Sequence, residues 1–259
     1  MAARSKRTEQ SLNPSVLPPP PVRLEGAALF ADLDGALAPI EATPEAVGPD
    51  PARRRLLDDL AAMLGGRLAV ISGRTLEDLD RILEGKVTAI GAVHGLVRRA
   101  EDGEITRRPA SKGVAAAASA LRAFARDRSG LMVEDKGAAV ALHYRTDPAS
   151  AGACRKAAAD LAERLHLAVQ AGDCVVELRT PGPDKGGALK DFMREAPFAG
   201  ATPVFMGDDL TDEAGFRAAR ELGGYGVIVG ARRPTEAQFA LPDVAAAHAW
   251  LRGALEPAG

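Results

Sequence analysis

"ALFADLDGALAPI" spans residues 28–40. An apolar run of strand length ends there in two carboxylates, Asp32 and Asp34, with Leu33 between them and Gly35 directly after. A short continuous apolar run fits a strand covered on both faces, as in a parallel sheet. Asp32 then stands at the carboxyl end of that strand, the edge along which open α/β sheets bind ligands. Alone, D-x-D-G has a second use, because short acidic turns also cap helices and open loops. The rest of the chain decides between chemistry and capping.

From Ala27 onward short apolar runs alternate with helix-length segments, the pattern of an α/β fold with a parallel sheet. "GGRLAVISGR" and "VTAIGAVHG" read as further strands, and "PDPARRRLLDDLAAML" and "TLEDLDRILEG" as helices. In the first helix Leu56, Leu57, Leu60 and Met63 fall at helical spacing, so Arg53, Arg54 and Arg55 are expected on the solvated face. Near residue 98 the rhythm changes. "LVRRAEDGEITRRP" carries a D-G turn signal between short runs and predicts a hairpin. Residues that follow read α-β-β-α-β-β, an antiparallel layer backed by helices and inserted into the α/β unit. After "PGPDK" the strand and helix rhythm resumes, and a closing helix holds Trp250, the only tryptophan, as a core anchor. The expected division is a core of residues 24–107 and 182–259 with an insert of 108–181. Residues 1–23 end in four prolines and read as a disordered Pro-rich tail.

With 46% apolar residues the 259-residue chain can bury a sizeable core. A net charge of -2 lacks the basic excess of nucleic-acid or membrane-surface binders, so neither is expected as a partner. The two cysteines, Cys154 and Cys174, form no zinc-ligand or disulfide pattern. A reducing cytoplasm is the expected compartment. No run approaches the ~18 apolar residues of a membrane span, and the start of the chain lacks the apolar core of a secretion signal.

Four polar clusters fall at carboxyl ends of predicted strands or at helix starts: Asp32 with Asp34, Ser72-Gly73-Arg74, Lys185, and Gly207 to Asp212. The Ser72 hydroxyl and the backbone N–H groups of Gly73 and Arg74, placed at a helix start, suit an anion. Lys185 adds a compact positive charge. One of Asp208, Asp209 and Asp212 is accounted for by helix capping, worth about 0.3–1 kcal/mol, but three are not. With Asp32 and Asp34 they make an oxygen-only set that suits Mg²⁺. A carboxylate approaching a phosphate meets repulsion of roughly 4 kcal/mol per unit-charge pair at about 4 Å and an effective dielectric of ~20. A divalent cation with Lys185 offsets this and makes Asp32 a usable nucleophile, which leaves Asp34 for proton transfer.

The order D-x-D-G, S-G-R, K-G, G-D-D-x-T-D resembles the haloacid dehalogenase-like phosphohydrolases. With "GAVHG" (91–95), "VEDKGAAVALHYR" (133–145), "VVELRTPGPDKGGAL" (175–189) and "MGDDLTDEAGF" (206–216), the chain from about Leu29 to Val229 is similar to the trehalose-6-phosphate phosphatases among them. The resemblance implies a Rossmann-like haloacid dehalogenase core with a parallel sheet and an α/β cap domain inserted between the second and third motifs. It implies Mg²⁺-dependent hydrolysis of trehalose 6-phosphate to trehalose and phosphate through an aspartyl-phosphate. Asp32 is then nucleophile and metal ligand, Asp34 acid/base and backbone-carbonyl ligand, and Asp208 a metal ligand, with Asp209 and Asp212 one layer behind. Ser72, Gly73 and Lys185 take the phosphate; His94 from the core and Glu134, Lys136 and Glu177 from the cap take the sugar. Glu134 and Lys136, two apart, share a strand face.

His143 and Arg145 are left outside that site, Arg179 either reaches the ligand or pairs with Glu177, and both cysteines read as packing residues. Ala36 stands where the family usually has threonine, and activity is expected to survive this. A monomer is expected, with a synthase as the candidate protein partner. Two rivals stay open: a phosphatase for another sugar phosphate, and a non-catalytic sugar-phosphate sensor.

Overall fold

A strand whose five residues are all buried needs cover on both faces, and β1 (Ala27–Ala31) has it. The computed structural model describes residues 17–256. Along the chain follow α1 (Pro51–Met63), β2 (Leu68–Ile71), α2 (Leu76–Leu83), β3 (Ala89–Ala92) and the antiparallel hairpin β4 (Val97–Arg99) and β5 (Ile105–Arg107). The inserted layer holds α3 (Lys112–Ala125), β6 (Met132–Asp135), β7 (Ala139–His143), α4 (Ala151–Leu165), β8 (Ala168–Gly172) and β9 (Val175–Arg179). The chain then returns through α5 (Lys185–Phe192), β10 (Thr202–Gly207), α6 (Glu213–Glu221), β11 (Tyr225–Val229), β12 (Phe239–Leu241) and α7 (Val244–Ala254).

Eight strands form one sheet in the order β12-β11-β10-β1-β2-β3-β4-β5, parallel from β12 to β3. Alternate side chains of β1 serve two cores. Leu29 and Ala31 pack with the leucines of α1 and α2 and with Trp250 of α7. Ala28 and Phe30 pack with Phe192 of α5 and Phe216 of α6. Register is what positions the site: Ala31 pairs with Met206 of β10 and with Val70 of β2, so Asp32, Asp208 and Ser72 emerge at one edge. The Asp32 N–H donates to the Met206 carbonyl at 2.8 Å, extending the pairing to the carboxylate-bearing residue itself.

The second sheet is antiparallel, in the order β6-β7-β9-β8. Val140, Leu142, Val176 and Leu178 bury one face against Val114, Leu121, Ala158 and Leu161 of α3 and α4. By strand alternation, Glu177 on β9 points the other way, toward the first sheet. Where the chain enters and leaves this layer, Ser111 N–H donates to Thr180 Oγ1 at 2.9 Å and the Thr180 hydroxyl donates to the Ala138 carbonyl at 2.8 Å.

Three expectations are corrected. Arg53 is buried, because its guanidinium donates to the carbonyls of Gly48 and Ile82, the latter at the carboxyl end of α2; Arg54 and Arg55 are exposed. Residues 17–23 are not tail. Pro20 is buried, the Pro18 carbonyl accepts from Ala240 of β12 at 3.0 Å, and the Pro21 carbonyl accepts from the Trp250 indole at 2.8 Å. Proline cannot donate to a sheet edge, but its carbonyl still accepts. The part of the expected tail from 1 to 16 lies outside the described residues. Finally, Thr75 caps α2, so Gly73 and Arg74 precede the helix instead of opening it. β12, three residues long, is too short to write a period into the sequence.

Candidate active site

Between the carboxyl edge of the eight-stranded sheet and the open face of the four-stranded sheet lies a cleft of ≈ 290 Å³. Asp32, Asp34, Ser72, Gly73, His94, Lys185, Asp208 and Asp209 line it from the core, and Glu134, Lys136 and Glu177 from the insert. The sequence-expected residues thus share one cleft, apart from Asp212, which is fully buried beneath it.

On the floor, Lys185 Nζ donates to Asp32 Oδ2 and Asp212 Oδ1, both at 2.7 Å. The second Asp212 oxygen accepts the N–H groups of Asp208 and Asp209 at 2.9 Å each, so Asp212 shapes the loop that carries Asp208. Gly35 (φ +74) admits Asp208, since a Cβ there would overlap the Asp208 carboxylate. Asp209 faces elsewhere than expected. Its carboxylate caps Leu210 N–H and accepts Asp173 N–H at 3.1 Å from the β8–β9 turn, tying the core loop to the insert.

Asp32, Asp208 and Asp212 offer oxygens that all lie within 4.8 Å of one another. One ammonium, Lys185, faces three carboxylates. Burial pushes Asp32 up to about 7 although Lys185 opposes it, and burial followed by repulsion from Asp32 and Asp212 pushes Asp208 up to about 9. Burial also disfavours the Lys185 charge, yet Asp212 and Asp32 more than offset it and hold the ammonium above its usual range. A hard oxygen set short of positive charge fits a divalent cation.

Asp34 is held by a residue that sequence reasoning considered only for its backbone. Arg74 Nε donates to Asp34 Oδ2 at 2.7 Å and Nη2 to Oδ1 at 2.8 Å, and Arg74 also bonds Asp78 and the Pro44 carbonyl. Burial disfavours its charge, but Asp34 and Asp78 outweigh that and raise its proton affinity. Behind it, Val93 and His94 both take left-handed backbone (φ 48 and 55). This turn slides the imidazole under Gly73, where a Cβ would meet the ring at 2.7 Å. "SGR" and "GAVHG" are therefore two halves of one contact, fixed also by His94 N–H to Ser72 O at 2.9 Å.

The roof is a charge network. Lys136 Nζ lies 2.7 Å from Glu177 Oε2 and 3.7 Å from Glu134, and Glu134 bonds His143 Nε2 at 2.8 Å. Burial opposes the charges of Lys136 and Glu177, but each is the other's main stabiliser, so Lys136 is raised and Glu177 lowered. His94 Nε2 lies 3.7 Å from Glu177 Oε1, which resembles an ion pair by distance alone. Burial pushes His94 down to about 3, so the ring is neutral at physiological pH and the contact is not ionic. Glu177 Oε1 and His94 Nδ1 are buried without a hydrogen-bond partner, although both residues line the cleft. Such atoms are costly unless a ligand satisfies them.

His143, Arg145 and Gln170 also line the cleft, beyond the sequence-expected set. For His143 and Gln170 the signal is alternation on the strand face that carries Glu134 and Glu177, readable only once register is known, whereas Arg145 lies in the turn after β7, where its guanidinium pairs with Asp173. Arg179 neither lines the cleft nor bonds Glu177; its guanidinium donates to the Pro183 carbonyl. Cys154 is buried in the insert core, and Cys174 packs at its margin. Ala36 is fully buried in the apolar core under β1.

Residues 30–245 match the family profile described as Trehalose-phosphatase. The chain is 39% identical over 230 residues to the trehalose-6-phosphate phosphatase of Escherichia coli strain K12, covering 86% of this chain and 85% of that one. It is 37% identical over 238 residues to the probable trehalose-phosphate phosphatase of Sinorhizobium fredii, covering 89% and 86%. Its fold is similar to the C-terminal domain of the Candida albicans trehalose-6-phosphate phosphatase, with a TM-score of 0.82, 23% identity and coverage of 93% and 98%.

Proposed function

The chain belongs to the trehalose-phosphatase family, and on that premise we propose that it hydrolyses trehalose 6-phosphate to trehalose and inorganic phosphate, using Asp32 as nucleophile. The observation that carries the assignment of roles is the meeting of Asp32, Asp208 and Lys185 in one cleft under a roof of polar groups. Residues 24–107 and 182–259 act as the core and 108–181 as the cap in this reading.

Lys185 fixes Asp32 by its Oδ2 and draws the phosphate toward it. The Ser72 hydroxyl and the Gly73 backbone hold the phosphoryl oxygens. Asp32 attacks phosphorus while Asp34 protonates the departing sugar oxygen, and Asp34 then takes a proton from the water that cleaves the aspartyl-phosphate. Mg²⁺, which Asp32, Asp208 and the Asp34 carbonyl would hold, supplies the positive charge that lets carboxylate and phosphate approach. His94, Glu134, Lys136 and Glu177 grip sugar hydroxyls, and the two unpartnered atoms of His94 and Glu177 gain partners there. The roof also excludes bulk water from the reacting atoms. The two free cysteines fit a cytoplasmic setting.

Phosphate release tests the function: trehalose 6-phosphate against glucose 6-phosphate and sucrose 6-phosphate, each with and without EDTA. Selective, EDTA-sensitive release from trehalose 6-phosphate is expected. Equal release from all three removes the selectivity, and no release at all leaves a sugar-phosphate sensor.

A further inference from the structure

We propose that Arg74 is the positioning residue of Asp34, setting the plane in which the proton-transferring carboxylate faces the cleft. The inference rests on the reading of Asp34 just given. Nε and Nη2 of Arg74 meet the two Asp34 oxygens in a parallel fork at 2.7 and 2.8 Å. A fork of this kind fixes the orientation of a carboxylate as well as its position. The fork uses one acceptor site on each oxygen, and each oxygen has a second site at which a proton is carried or taken up. These second sites open toward substrate: the Asp34 side chain keeps 34% exposure and lines the cleft.

The fork itself is braced. The Arg74 side chain is only 8% exposed, and Nη1 reaches both the Pro44 carbonyl at 2.9 Å and the carboxylate of Asp78 on α2. The Arg74 backbone is pinned as well, by its N–H on Ser72 Oγ at 3.3 Å and its carbonyl accepting from Val93 N–H at 2.9 Å. A rigid line of support runs from α2 through Asp78 and Arg74 to Asp34. Pro44 itself lines the cleft, so one guanidinium ties a wall of the cleft to the acid. Lysine cannot replace it, since an ammonium is a point charge without a fork.

A double-mutant cycle reads this directly, with single-turnover rates on trehalose 6-phosphate and thermal melting of each variant. Arg74→Lys is expected to slow the rate about 10–100-fold, with KM within about 3-fold, as for a misplaced catalytic group. In the Asp34→Asn background the same change is expected to add nothing. An equal slowing in that background, or an unchanged rate in the wild-type background, overturns the proposal. If Asp34→Asn alone turns over at the wild-type rate, the reading of Asp34 falls and the inference with it; if Asp34→Asn is slow and Arg74→Lys is not, the inference alone falls. Should Arg74→Lys not fold, Asp78→Asn releases the brace without touching Asp34 and enters the same cycle. Slowing seen only while Asp34 is present then supports the proposal, and equal slowing without it, or none at all, overturns it.

Discussion

Lys185 and Asp32 form a buried ion pair on the cleft floor, Nζ to Oδ2 2.7 Å, with side chains 2% and 8% exposed. The same ammonium serves Asp212 at 2.7 Å, so it stands between two carboxylates that have no other counter-charge of this kind among the described residues. Lys185→Met keeps the stem and deletes the charge. Breaking a buried pair by removing one partner costs about 3–5 kcal/mol, and urea denaturation at pH 8 should show a loss of that order together with lost turnover. Unchanged stability would show that the carboxylates do not depend on the ammonium.

Gly35 is expected to resist even alanine. Its positive φ already disfavours a side chain by about 1–3 kcal/mol, and the added carbon collides with Asp208. Turnover of Gly35→Ala should fall by about 100-fold or more, because Asp208 is displaced from Asp32. A fully active Gly35→Ala enzyme would mean that Asp208 has room to spare.

His94 gives a signed pH effect. Its folded value of about 3 lies below the ordinary histidine value of 6.5, so below pH ~6.5 the unfolded chain takes a proton that the folded one does not. Above pH ~6.5 the group contributes nothing; as pH falls it destabilises, by about 1.4 kcal/mol per unit. Wild type should lose roughly 2 kcal/mol relative to His94→Gln between about pH 7.5 and pH 5 in urea melts. Parallel pH curves for the two proteins would refute a buried neutral imidazole.

Glu177 separates sugar binding from phosphoryl chemistry. Glu177→Gln weakens the bond to Lys136 and the grip on the sugar, so KM for trehalose 6-phosphate should rise about 10–100-fold, worth about 1.4–2.7 kcal/mol. Turnover of p-nitrophenyl phosphate, which has no sugar to grip, should change by less than about 3-fold. Equal losses on both substrates would place Glu177 in the chemistry instead.

What can be read from residues alone follows from how local each signal is. β1 and its two aspartates are legible because burial on both faces writes a continuous apolar run, and the α-β-β-α-β-β order of the insert is legible from alternation and turn residues. The fork between Arg74 and Asp34 joins residues 40 apart, and no local pattern encodes it. Likewise Asp209 reads as a companion of Asp208, but its partner is Asp173, reached only when the two sheets face each other. Composition misleads where it stands for geometry: Arg53 reads as solvated beside Arg54 and Arg55, and the prolines at 18–21 read as tail, yet backbone carbonyls give the first and the second their place.

The most direct measurement is chemical trapping of the phosphoryl group. Enzyme quenched in acid during turnover of trehalose 6-phosphate and reduced with borohydride should carry homoserine in place of Asp32, seen by peptide mass spectrometry, and Asp32→Asn should show neither the mark nor turnover. A mark on another residue, or phosphate release that persists in Asp32→Asn, would contradict the account.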